Sequence, residues 1–215
     1  MFLGVPIIGL SGGIGSGKSF IAHILEEMGY VAISSDELVR RAYDEAEIVA
    51  TLQSWWGDAI LGPDGKINIR AVARRVFDRP EERRKLELLL HPIVASQRRQ
   101  LMLRASQNSP PPPAFVWDSP LLFEAGLSQQ CDALIFVDAP LDVRLRRVMA
   151  ERGWTAAELA LRENSQLGLD KKQQMSNYSI VNTTDAEHVR GQLRALLPRI
   201  IERINPASAG EHPLH

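Results

Sequence analysis

The sequence predicts an α/β protein built on a parallel sheet, and three observations carry the prediction. Short apolar runs at Val5 to Leu10, Tyr30 to Ile33, Ala114 to Trp117, Ala133 to Val137 and Tyr178 to Val181 have the length and aliphatic content of strands buried on both faces. Helical patterns separate them, and strands alternating with helices close into a right-handed, doubly wound sheet. The third observation is Gly12-Gly13-Ile14-Gly15-Ser16-Gly17-Lys18-Ser19, a GxxxxGK(S/T) phosphate-binding loop between the first apolar run and the first amphipathic one.

The elements follow in order. After Lys18, the spacing of Ile21, Ile24, Leu25 and Met28 predicts a helix. The second strand ends at Ser34-Ser35-Asp36, which puts Asp36 at the carboxyl edge of the sheet, where ligands of open parallel sheets bind. Asp36 equally suits an N-cap for a helix over 37–43. A helix over 46–56 stops at Gly57, Gly62-Pro63-Asp64-Gly65 is a turn, and a further helix runs from about Asn68 to Phe77. A long helical pattern from Glu81 to about Ser106 contains Pro92, whose missing N–H and bulky ring predict a kink or a split. Residues 46–108 thus form a helical insertion, and Pro110 to Pro113 make a stiff connector back to the sheet. Beyond it, helices are expected over 141–151, 156–166 and 187–204, and a frayed tail over 205–215. One domain over 5–204 is expected, with its core at 5–45 and 114–204.

A chance match to the loop pattern has a probability of about 1% in a chain of this length, and the strand-loop-helix context lowers it further. Glycines let successive N–H groups turn inward around a phosphate, and the helix N-terminus adds partial positive charge. Lys18 then reaches the β and γ phosphates and the Ser19 hydroxyl binds Mg²⁺. The nucleotide site so read comprises Gly13, Ile14, Gly15, Ser16, Gly17, Lys18, Ser19 and Phe20. A net charge of −1 gives no footprint for nucleic acid or an anionic membrane. The single cysteine, Cys131, excludes an internal disulfide and suits a reducing compartment, and no run has the ~18 apolar residues of a membrane span. A cytoplasmic protein, monomer or weak homo-oligomer, is the expectation.

Phosphate loops serve kinases, GTPases and motor ATPases alike. The chain has no Asn-Lys-x-Asp run of the kind GTPases use to read guanine, and the strand at 115–118 ends in Asp118-Ser119-Pro120 rather than Asp-Glu. Asp118 remains able to order Mg²⁺ through water, and equally able to act as a turn or cap aspartate. Arg144, Arg146, Arg147, Arg152 and Arg162 crowd one segment. Most helix arginines are solvated, but a closing lid can bring one or two onto the charge developing at a transferred phosphoryl group.

Several segments together resemble the dephospho-CoA kinase family: SGGIGSGKSFIA at the loop, SSDELVRRAY, Leu90-His91-Pro92-Ile93, the turn DSPLLFE over 118–124, and Tyr178-Ser179-Ile180-Val181-Asn182. The resemblance spans about residues 5–204 with the motifs in order. It implies a five-stranded P-loop kinase fold with a helical CoA-binding insertion and a lid at about 144–172. The implied reaction is ATP-dependent phosphorylation of the 3′-hydroxyl of dephospho-CoA, the last step of coenzyme A synthesis.

The resemblance also implies roles. Asp36 would stand at the acceptor hydroxyl, with Arg40, His91, Pro120 and Leu121 on the acceptor side. Arg147 would act as the lid arginine, with Arg144 three residues before it on the same face, and Asn182 would touch the adenine. Each has a plainer reading beside it: a solvated Arg40, a core or capping His91, a turn Asn182. Asp36 or Asp118 would meet Mg²⁺ through water. Members often carry Asp-x-Asp where this chain has Ser34-Ser35-Asp36, so one carboxylate is missing, and Phe20 stands where a Thr or Ser is common. Rivals to this reading are a kinase for another small molecule or nucleoside monophosphate, and a nucleotide-binding module without turnover.

Overall fold

The computed structural model describes residues 1–183 and 185–206; most of the expected tail, from 207, lies outside the described residues. Five strands, β1 (Ile7–Gly12), β2 (Val31–Ser34), β3 (Phe115–Asp118), β4 (Ala133–Asp138) and β5 (Tyr178–Val181), form one all-parallel sheet in the order β2-β3-β1-β4-β5. All five are the apolar runs of the sequence, with β1 displaced two residues toward the loop. Helix α1 (Lys18–Glu27) carries the chain from β1 outward to β2, whereas the connection from β3 crosses to β4 on the far side of β1. The winding direction therefore reverses between β1 and β3, and the carboxyl ends of those two strands are where such a sheet opens to ligand. The phosphate loop leaves β1 there, and Asp118 ends β3, with Leu10 and Asp118 in register.

The chain forms two compact units, one joining Met1–Ser34 to the chain from Arg104 onward and one spanning Ser35–Leu103. In the first unit, Ile8, Leu10, Ile135 and Val137 of the sheet meet Ile21, Ile24 and Leu25 of α1 and Val189, Leu193, Leu197 and Ile200 of α9 (Ala186–Ile204). The spacings along α1 and α9 are those of one helical face. Burying each such side chain contributes about 1.5–3 kcal/mol. Asp185 caps α9 by accepting from the His188 amide at 2.9 Å.

The second unit contains α2 (Ser35–Tyr43), α3 (Ala46–Trp56), α4 (Ile69–Phe77) and α5 (Pro80–Ser106), the last running on into the first unit. Its own core gathers Ala42, Tyr43, Ile48, Leu52, Ile60, Ile67, Val72, Leu86 and Leu90. Burial pushes the Tyr43 phenol up to about 12. Trp56 Nε1 donates to Glu82 Oε2 at 2.8 Å and ties α3 to α5. Helix α5 is not split at Pro92. Leu86 and Leu90 before the proline and Val94 and Met102 after it are all buried, so packing on both sides holds the helix through one lost hydrogen bond.

Between β4 and β5 lie α6 (Leu141–Arg152), α7 (Ala156–Glu163) and α8 (Leu169–Gln174). α7 opens with a capping box between Thr155 and Glu158 and ends at Glu163, short of the expected 166. α8 is a helix that the sequence pattern does not announce.

Candidate active site

Helix α1 starts at Lys18 with no acidic side chain in its first turn, so the positive end of its dipole is left for an anion. Gly17 caps it at φ 89°, a left-handed conformation. A Cβ at Gly17 would stand 2.2 Å from Asn182 Nδ2, so both the backbone angle and the space require glycine. Within the loop, the Ser16 amide donates to the Gly13 carbonyl at 3.2 Å. Lys18 Nζ folds back to donate to the carbonyls of Gly12 and Gly13 at 3.2 and 3.1 Å, which holds the ammonium over the loop. Ser19 Oγ donates to Asp118 Oδ2 at 2.6 Å. Asp118 is buried, and its carboxylate is tied to the first turn of α1 through Ser19. Phe20 points outward and is 40% exposed.

A second layer braces the loop. Arg147 Nη1 donates to the carbonyls of Gly15 and Ser16 at 3.4 and 3.2 Å, and its Nη2 to the Asn182 carbonyl at 3.0 Å. Asn182, which follows β5, is 1% exposed and donates from Nδ2 to the Ser16 carbonyl at 2.7 Å. Its side-chain amide thus lies against the loop rather than in solvent. Arg144, buried, donates to the carbonyls of Ala139 and Ile14 at 3.1 and 3.3 Å and pairs with Glu163 of α7. The solvated reading fails for these two arginines. It holds for Arg146, exposed and paired with Asp142 at 3.3 Å. Arg152 and Arg162 stack on Trp154, their guanidinium carbons 4.8 and 4.2 Å from the ring centroid.

Pro120 is half-buried and Leu121 is 42% exposed in the turn that follows Asp118. In the second unit, Asp36 is the second residue of α2, exposed in its first turn. It is not the N-cap, because the helix begins one residue before it. A carboxylate there complements the helix dipole. Arg40, one turn on, is exposed and has no hydrogen-bond or ion-pair partner among the described residues. His91 is exposed on the body of α5, so it is neither a core nor a capping histidine.

The sequence reasoning missed Lys172, which is 2% exposed on α8, and its partner Glu124. A lysine in a polar six-residue stretch carries no signal of burial; the only pointer was Glu124 in the DSPLLFE turn.

An all-parallel sheet of this order, with a glycine loop, an ammonium and a Ser-Asp pair at the carboxyl ends of β1 and β3, is a P-loop nucleotide-binding fold. The model of the CoaE, dephospho-CoA kinase, family matches residues 6–188. A dephospho-CoA kinase of Syntrophotalea carbinolica is 33% identical over 96% of this chain and 96% of its own. One of Thermus thermophilus is 35% identical over 90% of this chain and 91% of its own. The crystal structure of TT1252 from Thermus thermophilus superposes with a TM-score of 0.77 at 36% identity, covering 91% of this chain and 97% of that one. A dephospho-CoA kinase from Campylobacter jejuni, 22% identical, shares the fold at a TM-score of 0.66 over 92% of this chain and 98% of that one. The chain belongs to the dephospho-CoA kinase family.

Proposed function

We infer that the chain phosphorylates the 3′-hydroxyl of dephospho-CoA with ATP, giving coenzyme A and ADP, the final step of coenzyme A synthesis. The observation that carries the reading is the phosphate loop at residues 12–19, braced by Lys18, Asp118, Arg147 and Asn182, in a chain that matches this one family over nearly its whole length.

The roles follow from the chemistry of each group. The loop amides and Lys18 hold the donor phosphates. Asp36 accepts a hydrogen bond from the acceptor hydroxyl and aims its oxygen at the γ phosphorus. As that oxygen bonds to phosphorus, the bond to the β-γ bridging oxygen breaks, ADP leaves, and the hydroxyl proton passes to the Asp36 carboxylate. A carboxylate is a weak base for an alcohol, but a loose transition state needs the proton moved only late. Alignment of the two substrates supplies roughly 7–11 kcal/mol of barrier reduction, more than one base gives. Arg40, Pro120, Leu121 and His91 serve the acceptor, with Arg40 on an acceptor phosphate. Residues 144–172 are the lid of this reading; Arg144 and Arg147 are its root on the loop, and α7 is the part left to close.

Ser19 Oγ and the Asp118 carboxylate, 2.6 Å apart, are hard oxygen donors and fit Mg²⁺, which takes few protein ligands beside water and phosphate. No cluster of three metal-ligating side chains occurs among the described residues. When bound, Mg²⁺ neutralises charge on the β and γ phosphates. No helix among the described residues is long and apolar enough to cross a membrane. We place the enzyme in the cytoplasm as a monomer or weak homo-oligomer without nucleic-acid partners.

Phosphorus NMR of the reaction mixture tests the reading. A new phosphomonoester resonance is expected as dephospho-CoA is consumed. Release of inorganic phosphate from ATP with no new monoester would remove the kinase assignment.

A further inference from the structure

The turn from Asp118 to Glu124 is fastened at both ends by polar contacts, and only the first involves the phosphate loop's serine. At its start, Asp118 accepts from Ser19. At its end, Glu124 Oε1 stands 3.1 Å from Lys172 Nζ, and the same oxygen accepts from the Leu167 amide at 2.8 Å. Lys172 is 2% exposed. Its ammonium also donates to Gln166 Oε1 at 2.9 Å and to the Pro120 carbonyl at 3.5 Å, so one buried cation holds the turn at two points. Leu122, 1% exposed, plugs the turn into the core between them. Leu121, 42% exposed, is thus a solvent-facing leucine carried on a rigid frame.

Burying an ammonium costs desolvation that an apolar residue of similar volume would avoid, and such replacements are often neutral or stabilising. Stability alone is therefore a poor account of Lys172. An ion pair with several fixed partners gives geometry instead, holding Pro120 and Leu121 in one place relative to Asp118.

We propose that Lys172 is a positioning residue for the acceptor, acting through Glu124 and the Pro120 carbonyl to fix the Pro120-Leu121 ledge against which dephospho-CoA binds. The proposal rests on the reading that this ledge meets the acceptor. Lys172 touches neither the loop nor the donor residues named above, so its loss separates acceptor binding from ATP binding. Because Glu124 Oε1 also takes the Leu167 amide, the same contact ties the ledge to the α7-α8 connection.

The test compares steady-state kinetics and thermal unfolding of four variants with the unaltered enzyme. The double variant Lys172→Met/Glu124→Gln removes both charges and leaves no lone buried ion. It is expected to unfold cooperatively near the wild-type midpoint, with the KM for ATP within about twofold and the KM for dephospho-CoA raised about tenfold, more than kcat falls. Glu124→Gln alone keeps an oxygen for Lys172 and Leu167 and is expected to hold the acceptor KM near wild type, whereas Glu124→Ala raises it. Leu121→Ala checks the underlying reading. If Leu121→Ala leaves the acceptor KM unchanged, the ledge is not an acceptor surface. If Leu121→Ala raises it and the folded double variant does not, Lys172 is structural only and the proposal is overturned. Should the double variant fail to fold, the Gln and Ala variants decide, and equal acceptor KM in both overturns it.

Discussion

The hydroxyl of Ser19 donates to Asp118 Oδ2 across 2.6 Å, joining the first turn of α1 to the end of β3 at the point where the sheet's winding reverses. The contact brings together two oxygen donors that the sequence separates widely. Replacing Asp118 by Asn keeps an oxygen for Ser19 but removes the charge that, in the proposed reading, orders a hydrated Mg²⁺. The Mg²⁺ concentration for half-maximal rate is expected to rise about 10–100-fold, as when a supporting ligand is lost, with little change in unfolding temperature. Initial rates across a Mg²⁺ titration at fixed ATP check this.

Gly17 offers a steric test of the loop. At φ 89° an alanine costs about 1–3 kcal/mol in backbone strain, and its Cβ would displace the Asn182 amide from the Ser16 carbonyl. Gly17→Ala should lower the unfolding temperature by several degrees and raise the KM for ATP at least about tenfold. Wild-type ATP kinetics in this variant would mean that Asn182 does not hold the loop.

Asp36 and Lys18 should separate in their effects. Asp36→Asn is expected to keep ATP affinity, measured by calorimetry, while turnover falls at least about 10²-fold. Lys18→Ala should weaken ATP binding and turnover together, because the proposed place of its ammonium is on the donor phosphates. Undiminished turnover in Asp36→Asn would remove its role at the acceptor hydroxyl.

Stability at acid pH should report the Glu124 contact. Burial alone raises the carboxyl, but the amides of Leu167 and of Glu124 itself and the Lys172 ammonium outweigh it and hold the group below its ordinary 4.5. A carboxyl lowered on folding adds stability that is fully present above its unfolded value and is lost as pH falls through its folded one. The gap in unfolding temperature between wild type and Glu124→Gln should therefore be constant above about pH 5 and shrink as pH drops below 4.5. A gap independent of pH from 3 to about 7 would contradict the charged pair.

Much of the fold was legible because its signals are local. Ala114 to Trp117 and Ala133 to Val137 are apolar runs too short for helices, and both are buried strands. The loop was legible because its chemistry needs contiguous residues. Of the kink or split that the proline at 92 predicts, the split does not occur, because a split weighs one lost hydrogen bond against the long-range burial of Leu86, Leu90 and Val94, which holds α5 continuous. α8 was invisible because LDKKQQ has no apolar period; its one fully buried side chain is a lysine. The roles of Arg147 and Asn182 were half legible. Proximity to the nucleotide loop followed from the family resemblance, but three carbonyls as Arg147's partners follow only from how β5 and α6 pack beside the loop.

Acceptor choice tests the central claim most directly. ADP release should be measured by a coupled assay at saturating ATP and Mg²⁺ with dephospho-CoA, AMP, CMP or shikimate as acceptor. The account predicts turnover with dephospho-CoA, with a kcat/KM at least about 10²-fold above any other acceptor, in keeping with a site that hydrogen-bonds its substrate. Turnover with AMP, CMP or shikimate and none with dephospho-CoA would contradict it.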